Sequence, residues 1–340
     1  MIRIDGSQGE GGGQVLRTSV ALSAVTGRPI RVFDIRAKRK NQGLMAQHIG
    51  AIEAVARLCG AEVKGIAIGS KEIEFTPSEI SGGRFNIDIG TAGSITLVLQ
   101  ALMLPAMFAK KTTVFQIRGG TDVNWSPPID YLSNVTMPLL GRFGYTGAVE
   151  LLKRGYYPAG GGKVTAKITP CRMNEIVLKE RGRVISVKGV SHAHASLGKG
   201  LVAERQMKAA RPLLYNKTHK EIGIVRQYVR AQSYGSGLTL WAETENSRLG
   251  AGALGEKGKS AEIVGQEAAG RLIKEVDSGA ALDVHMADQI VPYLALFGGG
   301  VSVSEVTEHT RTNVEVCRKF GFDVEIEGNI IKASKTRLFP

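Results

Sequence analysis

Three stretches of this chain carry the same punctuation: a helix-like run closes on glycine and an alternating strand follows. They are Ala56-Arg-Leu-Cys-Gly60-Ala-Glu-Val63, Leu140-Gly-Arg-Phe-Gly144-Tyr145 and Arg318-Lys-Phe-Gly321-Phe-Asp-Val324. Glycine ends a helix well because it enters the left-handed region without a side-chain clash, so a recurring helix-stop is a sign of a repeated unit. The first two glycines stand 84 residues apart and the last two 177, leaving room for one more period plus about 93 extra residues. A domain-sized insertion fills that gap.

Periodicity gives each unit the pattern helix, strand, helix, two strands. In the first, 14–26 and 44–58 have helical spacing, 30–35 is strand-like, and 63–68 with 72–75 read as a hairpin. In the second, helices are expected over 94–108 and 128–142 with a strand at 113–117, and Pro128 suits a helix start. The third runs through 283–297, 301–306, 312–320 and the strand pair 323–327 and 330–334. Residues 183–278 have their own strands (183–190, 238–244) and helices (200–215, 261–276). The expected architecture is α/β, with each unit burying one helical face on a sheet. A large domain of residues 1–182 plus 279–340 carries the repeats, and 183–278 is a smaller inserted α/β domain.

Lys and Arg total 44 against 31 Asp and Glu, a formal charge of +13 that favours phosphate-bearing partners. The 43 glycines are nearly twice the ordinary share of about 7%. Cys59, Cys171 and Cys317 are odd in number and lack metal-ligand spacing, which argues against a disulfide framework or structural zinc. The apolar run 95–109 is interrupted by Gln100 and Pro105 and is shorter than the roughly 18–20 residues a membrane span needs. The opening residues do not read as a secretory leader. A cytoplasmic protein is the expectation.

Three segments bear chemistry. Asp5-Gly-Ser-Gln-Gly-Glu10-Gly-Gly-Gly-Gln14 is a glycine-rich turn between a short strand and a helix, where backbone amides can meet phosphate. Glu10, Gln14 and Arg17 share a helical face, and a carboxylate beside phosphate points to a bridging divalent cation. A capped helix with a solvated polar stripe would read the same way. Arg36-Ala-Lys-Arg39-Lys40 precedes a helix holding Gln47 and His48, which fits a phosphate clamp or a solvated basic loop. Glu308-His309-Thr310-Arg311-Thr312-Asn313 opens the last helix, where the dipole disfavours imidazolium and attracts phosphate. A neutral imidazole there is a nucleophile or simply a capping residue. Ala253 breaks the P-loop pattern of the stretch ending at Lys259-Ser260, and His192-x-His194 has no third ligand nearby, so both are set aside.

Taken in order, Gly9-Glu10-Gly-Gly-Gly-Gln14-x-x-Arg17, Ile35-Arg36-Ala-x-Arg39, Gln47-His48, Gly93-Ser94-x-Thr-Leu-Val-Leu-Gln100, Gly119-Gly-Thr-Asp122, Gly155-x-Tyr-Pro-x-Gly-Gly-Gly162, Ala287-Asp288-Gln289 and His309-x-x-Thr312-Asn313 resemble the RNA 3'-terminal phosphate cyclase family. The resemblance runs through essentially the whole chain. It implies three repeats of two helices on a four-stranded sheet, similar to a translation initiation factor's C-terminal domain, plus a small inserted domain. It also implies ATP-dependent conversion of an RNA 3'-phosphate to a 2',3'-cyclic phosphate, through a histidine-bound AMP and an RNA–adenylate.

Carried over by position, His309 matches the histidine that accepts AMP, and Glu10 the acidic residue associated with Mg²⁺ or Mn²⁺. Gln100 and the stretch His285, Met286, Ala287, Asp288 and Gln289 match ATP-binding positions. Arg17, Arg36, Arg39 and His48 match positions that bind substrate phosphate, and Gln14 and Asn313 support them. His285 stands where many bacterial members carry tyrosine. The partner implied is RNA with a 3'-phosphate end; no obligate protein partner is evident and the oligomeric state is open. A non-cyclase relative acting in ribosomal RNA maturation is the alternative, and such members are expected to lack the nucleophilic histidine. An enolpyruvyl transferase would share related repeats without a use for His309.

Overall fold

The computed structural model describes residues 1–9 and 12–336. Unit one comprises β1 (Ile2–Asp5), α1 (Gly13–Thr26), β2 (Ile30–Phe33), α2 (Ala46–Cys59), β3 (Glu62–Lys64) and β4 (Ile73–Thr76). Unit two comprises β5 (Arg84–Asp88), α3 (Ile95–Ala106), β6 (Thr113–Gly119), the short helices α4 (Ile129–Tyr131) and α5 (Met137–Gly141), β7 (Gly147–Lys153) and β8 (Gly162–Ile168). Next come β9 (Ile176–Leu178) and a second kind of unit: β10 (Val184–His194), α6 (Val202–Thr218), β11 (Ile222–Val229), β12 (Ser236–Thr244), β13 (Arg248–Leu254) and α7 (Ala261–Asp277). The chain then continues through α8 (Val284–Gln289), α9 (Val291–Phe297), β14 (Gly299–Ser302), α10 (Glu308–Lys319), β15 (Val324–Glu327) and β16 (Ile330–Ala333).

The repeat is explicit in the sheets. Their orders are β1-β2-β4-β3, β5-β6-β8-β7 and β9-β14-β16-β15, each with one parallel pair followed by two antiparallel pairs. The glycines that closed the three sequence motifs all take positive φ, at Gly60, Gly144 and Gly321. The remaining sheet, β11-β10-β12-β13, has a different chain order around its one parallel pair. It enters between β9 and α8, so the third unit is split and its first strand precedes the insertion.

Sequence periodicity alone found three strands per unit. Of the first strands only β1 was foreseen, as the short strand before the glycine-rich turn; β5 and β9, five and three residues long, are too short to establish alternation. In the inserted segment it also missed β11 and β13.

One core runs through all three repeats, from Ile4 and Leu22 through Leu99 and Phe115 to Leu294 and Val316. α3 packs on both α1 and α2, which explains why it is apolar nearly all round. Its start is set by Ser94, whose hydroxyl accepts from the Leu97 N–H at 3.3 Å. A separate core lies within 184–276, and Tyr131, Val135, Val190 and Trp241 fill the seam between it and unit two.

One expected helix is broken. Residues 128–142 read as continuous, yet Leu132–Thr136 forms a π-turn between α4 and α5. Pro138 has no N–H to give the Asn134 carbonyl, and Arg248 Nη1 donates to that oxygen instead at 2.8 Å. The same substitution of donors ties the inserted sheet to unit two. Cys59, Cys171 and Cys317 are free thiols, and burial pushes the Cys59 thiol up to about 11. Among the described residues no helix is long and apolar enough to cross a membrane.

Candidate active site

The glycine-rich turn meets two basic elements and the last helix. A Cβ on Gly13 would lie 2.3 Å from His48 Nε2 and 2.9 Å from Arg17 Nη1, so only glycine lets the start of α1 sit against both. A Cβ on Gly12 would lie 3.4 Å from Arg39 Nη2, and Lys38 Nζ donates to the Gly9 carbonyl at 3.2 Å. Gly9, with φ +57, packs its Cα against Thr312, whose hydroxyl would be 2.1 Å from an added Cβ. Arg36, itself at φ +56, donates from Nη1 to the Gly43 carbonyl at 3.0 Å. Arg17, Arg39 and His48 thus close on the turn, with Arg36 near enough to act on His48 electrostatically.

His48 is 3% exposed, and burial followed by the Arg17 and Arg36 charges pushes its imidazole down to about 3. Its Nδ1 accepts from the Met45 N–H at 3.0 Å, so the ring is neutral with the proton on Nε2, facing the turn. Burial likewise lowers Arg36, with Arg39 adding to the effect.

Beside the turn, a cleft is lined by Gln14, Arg17, Gln100, Asp288, Gln289 and Asn313. All six were expected from sequence, and they come from four helices of three different units. Asn313 joins them: its Oδ1 accepts from Thr18 Oγ1 at 2.7 Å, and its Nδ2 donates to the Asp288 carbonyl at 2.7 Å. Arg17 Nη2 donates to Gln14 Oε1 at 2.8 Å, while its buried Nε has no hydrogen-bond partner. Burial lowers this guanidinium to about 10, against the pull of Asp288. A buried cation with an unused donor, opening on a cleft, suits a phosphate oxygen.

Asp288 is half-buried, and desolvation lifts its carboxyl to about 7 against the opposing Arg17 charge, with Asp283 pushing the same way as burial. The native state then holds a proton that the unfolded chain releases near the ordinary carboxylate value. Stability from this group is therefore highest in acid and falls as pH rises toward about 7. Asp288→Asn removes that loss. The variant's Tm should exceed that of wild type by more at pH 8 than at pH 5; a difference equal at both would contradict the assignment.

His309 lies in the first turn of α10, behind the Thr307 cap, whose hydroxyl accepts from the Thr310 N–H at 3.2 Å. It is half-buried and four residues before Asn313, hence on the helix face that turns toward the cleft. Thr312, three residues on, touches the glycine-rich turn. The exposed His285 stands at the start of α8 with its ring edge-on to Tyr131, centroids 5.7 Å apart. Met286 and Ala287 are fully buried in the core and anchor the helix. Gln289 Nε2 donates to the His285 carbonyl at 3.0 Å, and its Oε1 accepts from Thr136 Oγ1 at 3.1 Å. Glu10 lies outside the described residues.

Sequence reading missed Thr18, Thr136 and Tyr293, which also line the cleft. Thr18 was within reach of the pattern, being four residues after Gln14 on the same face. Thr136 arrives there through the π-turn, which no periodicity reveals.

A second polar cluster lies away from the cleft. Arg154, with its side chain 1% exposed, pairs with Asp122 at 3.1 Å and Asp130 at 2.8 Å, and donates to Gln227 Oε1 at 2.9 Å. His192 Nδ1 shares a 2.9 Å hydrogen bond with Tyr156 OH. The atoms of Asp122, Asp130 and His192 converge within 4.8 Å, but Arg154 already supplies the positive charge between the carboxylates. Burial raises both; at Asp122 the charges of Arg154 and His192 outweigh it and hold the carboxyl well below its usual range, while Asp130 stays above. His194, half-buried, bonds Ser196 instead.

Residues 8–327 match the family model for RNA 3'-terminal phosphate cyclase. Proteins of that name from Pyrococcus furiosus, Ignicoccus hospitalis and Methanosarcina barkeri are 48%, 49% and 49% identical. The alignments cover 99%, 98% and 94% of this chain and 98%, 96% and 94% of the relatives. Among solved structures, the enolpyruvyl transferase NikO from Streptomyces tendae aligns over 98% of this chain and 66% of its own, at 10% identity and a TM-score of 0.27, values too low to argue from. On a match that spans residues 8–327 and on relatives nearly half identical over almost their whole length, the chain belongs to the RNA 3'-terminal phosphate cyclase family.

Proposed function

We propose that this chain uses ATP to convert an RNA 3'-terminal phosphate into a 2',3'-cyclic phosphate, with His309 carrying AMP. The observation that carries the reading is Asn313, which ties α1 to α8 and so fixes α10, with His309 one turn away, beside the cleft. His309 attacks the α-phosphorus of ATP and pyrophosphate leaves. An oxygen of the RNA 3'-phosphate then takes the AMP, and the neighbouring 2'-hydroxyl attacks the activated phosphorus, expelling AMP.

The surrounding residues do electrostatic work. Gln14, Gln100, Asp288 and Gln289 bind the nucleotide in the cleft, with His285 at its rim. Arg17, Arg36 and Arg39 spread the phosphate charge, and His48 donates from Nε2 without adding a second full charge. Asp288 titrates near neutrality and so tolerates a triphosphate better than a fixed carboxylate would. A divalent ion, Mg²⁺ or Mn²⁺ at Glu10, supplies further charge neutralisation when bound. Residues 183–278 act as an inserted small domain on a catalytic domain of 1–182 and 279–340, and the enzyme works in the cytoplasm.

The test is direct. An oligoribonucleotide labelled at its 3'-phosphate, incubated with protein, Mg²⁺ and ATP, should become resistant to phosphatase and stay sensitive without ATP. Label that remains phosphatase-sensitive with ATP present would reject the reaction.

A further inference from the structure

We infer that the loops at one end of the second sheet form a stacking platform for the unpaired bases just upstream of the RNA 3'-phosphate, with Trp125 and Tyr157 as its principal rings. This rests on the RNA reading above. Trp125 is 98% exposed, Tyr157 75% and Tyr234 73%. Trp125 also sits at φ +67, a left-handed backbone region that strains a bulky residue. A large apolar ring held out in water on a strained backbone gains nothing for the isolated fold.

The rings are neighbours by connectivity. Asp122 and Tyr156 form a β-bridge, and the Asp122 N–H donates to the Gly155 carbonyl at 3.3 Å. Tyr157 is the next residue after that bridge, and Trp125 lies three residues beyond it, a reach of at most about 10 Å. Ala159 N–H donates to Ser233 Oγ at 3.0 Å, which places Tyr234 beside the same loop, its ring edge-on to His194 at 4.9 Å. The buried Arg154 network holds the base of both loops, since it includes Asp122 and Tyr156's partner His192.

The platform is continuous with the phosphate clamp. Gln47, next to His48, accepts from the Ser94 N–H at 3.3 Å, and Ser94 is bridged to Gly120, two residues before Asp122. Cations flank the rings. Arg118 and Lys163 face each other across β6 and β8, both exposed, with Arg118 sharing Asp88 at 3.7 Å, and the exposed Arg230 precedes Tyr234. Rings that stack any base, interleaved with cations that follow the backbone, make the chemistry of single-stranded nucleic acid binding. Protein surfaces are the less suited occupant because the path runs directly from the terminal-phosphate clamp.

The chain has two tryptophans, and the other, Trp241, is 6% exposed, so emission changes on ligand addition report Trp125. A short oligonucleotide ending in a 2'-deoxy 3'-phosphate cannot cyclise and can be titrated without turnover. It should quench wild-type emission and leave Trp125→Phe emission unchanged. Trp125→Ala and Tyr157→Ala should each raise KM for an oligoribonucleotide 3'-phosphate on the order of ten-fold. Trp125→Phe should restore it, and a mononucleoside 3'-phosphate should react alike in all variants. Labelling by ATP without RNA should be unchanged, showing an intact fold.

Absent quenching, or KM unchanged in Trp125→Ala with labelling intact, overturns the platform. So does a shift in sedimentation with KM unchanged, which would make the rings a protein contact. Failure of wild type itself to label with ATP would strike the reaction, and the turnover-free titration would still decide the platform.

Discussion

His309→Ala is expected to lower RNA cyclisation by on the order of 10³-fold or more and to remove covalent labelling by ATP, while the protein stays folded. The size follows from the role. A nucleophile that forms the covalent intermediate has no substitute when the second nucleophile must attack an already activated phosphorus. The fold should survive because the elements that hold α10 are elsewhere: the Thr307 cap, Asn313 with its two partners, and buried Val314, Val316 and Cys317. A half-buried side chain in a first helical turn costs within about 1 kcal/mol on truncation when the cap is retained. Thermal unfolding alongside the assay separates the cases. A variant that cyclises within ten-fold of wild type, or one that loses activity by unfolding, would contradict the assignment.

Arg154→Ala is expected to destabilise the protein by about 3–5 kcal/mol, the usual consequence of stranding a buried charge. Asp122 and Asp130 would face one another without the guanidinium between them. The strands involved, β10 and β11, belong to the inserted sheet, whereas Asp122, Asp130 and Arg154 belong to unit two. Loss of the pair should therefore loosen the seam between the two cores. Denaturant unfolding should show a lower midpoint and a transition split into two steps. A midpoint within 1 kcal/mol of wild type would show that the carboxylates protonate at little cost.

The three-unit plan was legible because helix-stop glycines repeat at a fixed place, and a backbone that needs positive φ leaves that mark in any sequence. The first strands of the second and third units were not legible. β9 is three residues long, and its partner β14 lies across the whole insertion, so nothing local identifies it. The cleft was legible where residues on one helix share a face, as with Gln14 and Arg17. It was not legible at Thr136, which depends on a proline removing one hydrogen bond and on Arg248, 114 residues from Asn134, donating to the freed Asn134 carbonyl. His309 and Asn313 were readable as a helix-start motif, but that Asn313 ties two distant helices together is a property of tertiary packing. The Arg154 network surfaced in the sequence only as separate pieces, Gly119-Gly-Thr-Asp122 and His192, and nothing local joins them to Asp130, Arg154 and Gln227.

The central claim is that His309 carries AMP. The most direct measurement is mass spectrometry of peptides from wild-type protein incubated with ATP and Mg²⁺, without RNA, and digested under alkaline conditions that preserve a phosphoramidate. The peptide containing His309 should carry one added AMP, which disappears on brief acid treatment or on adding an RNA 3'-phosphate before digestion. AMP on another residue, or no adduct on a protein that still cyclises RNA, would contradict the account.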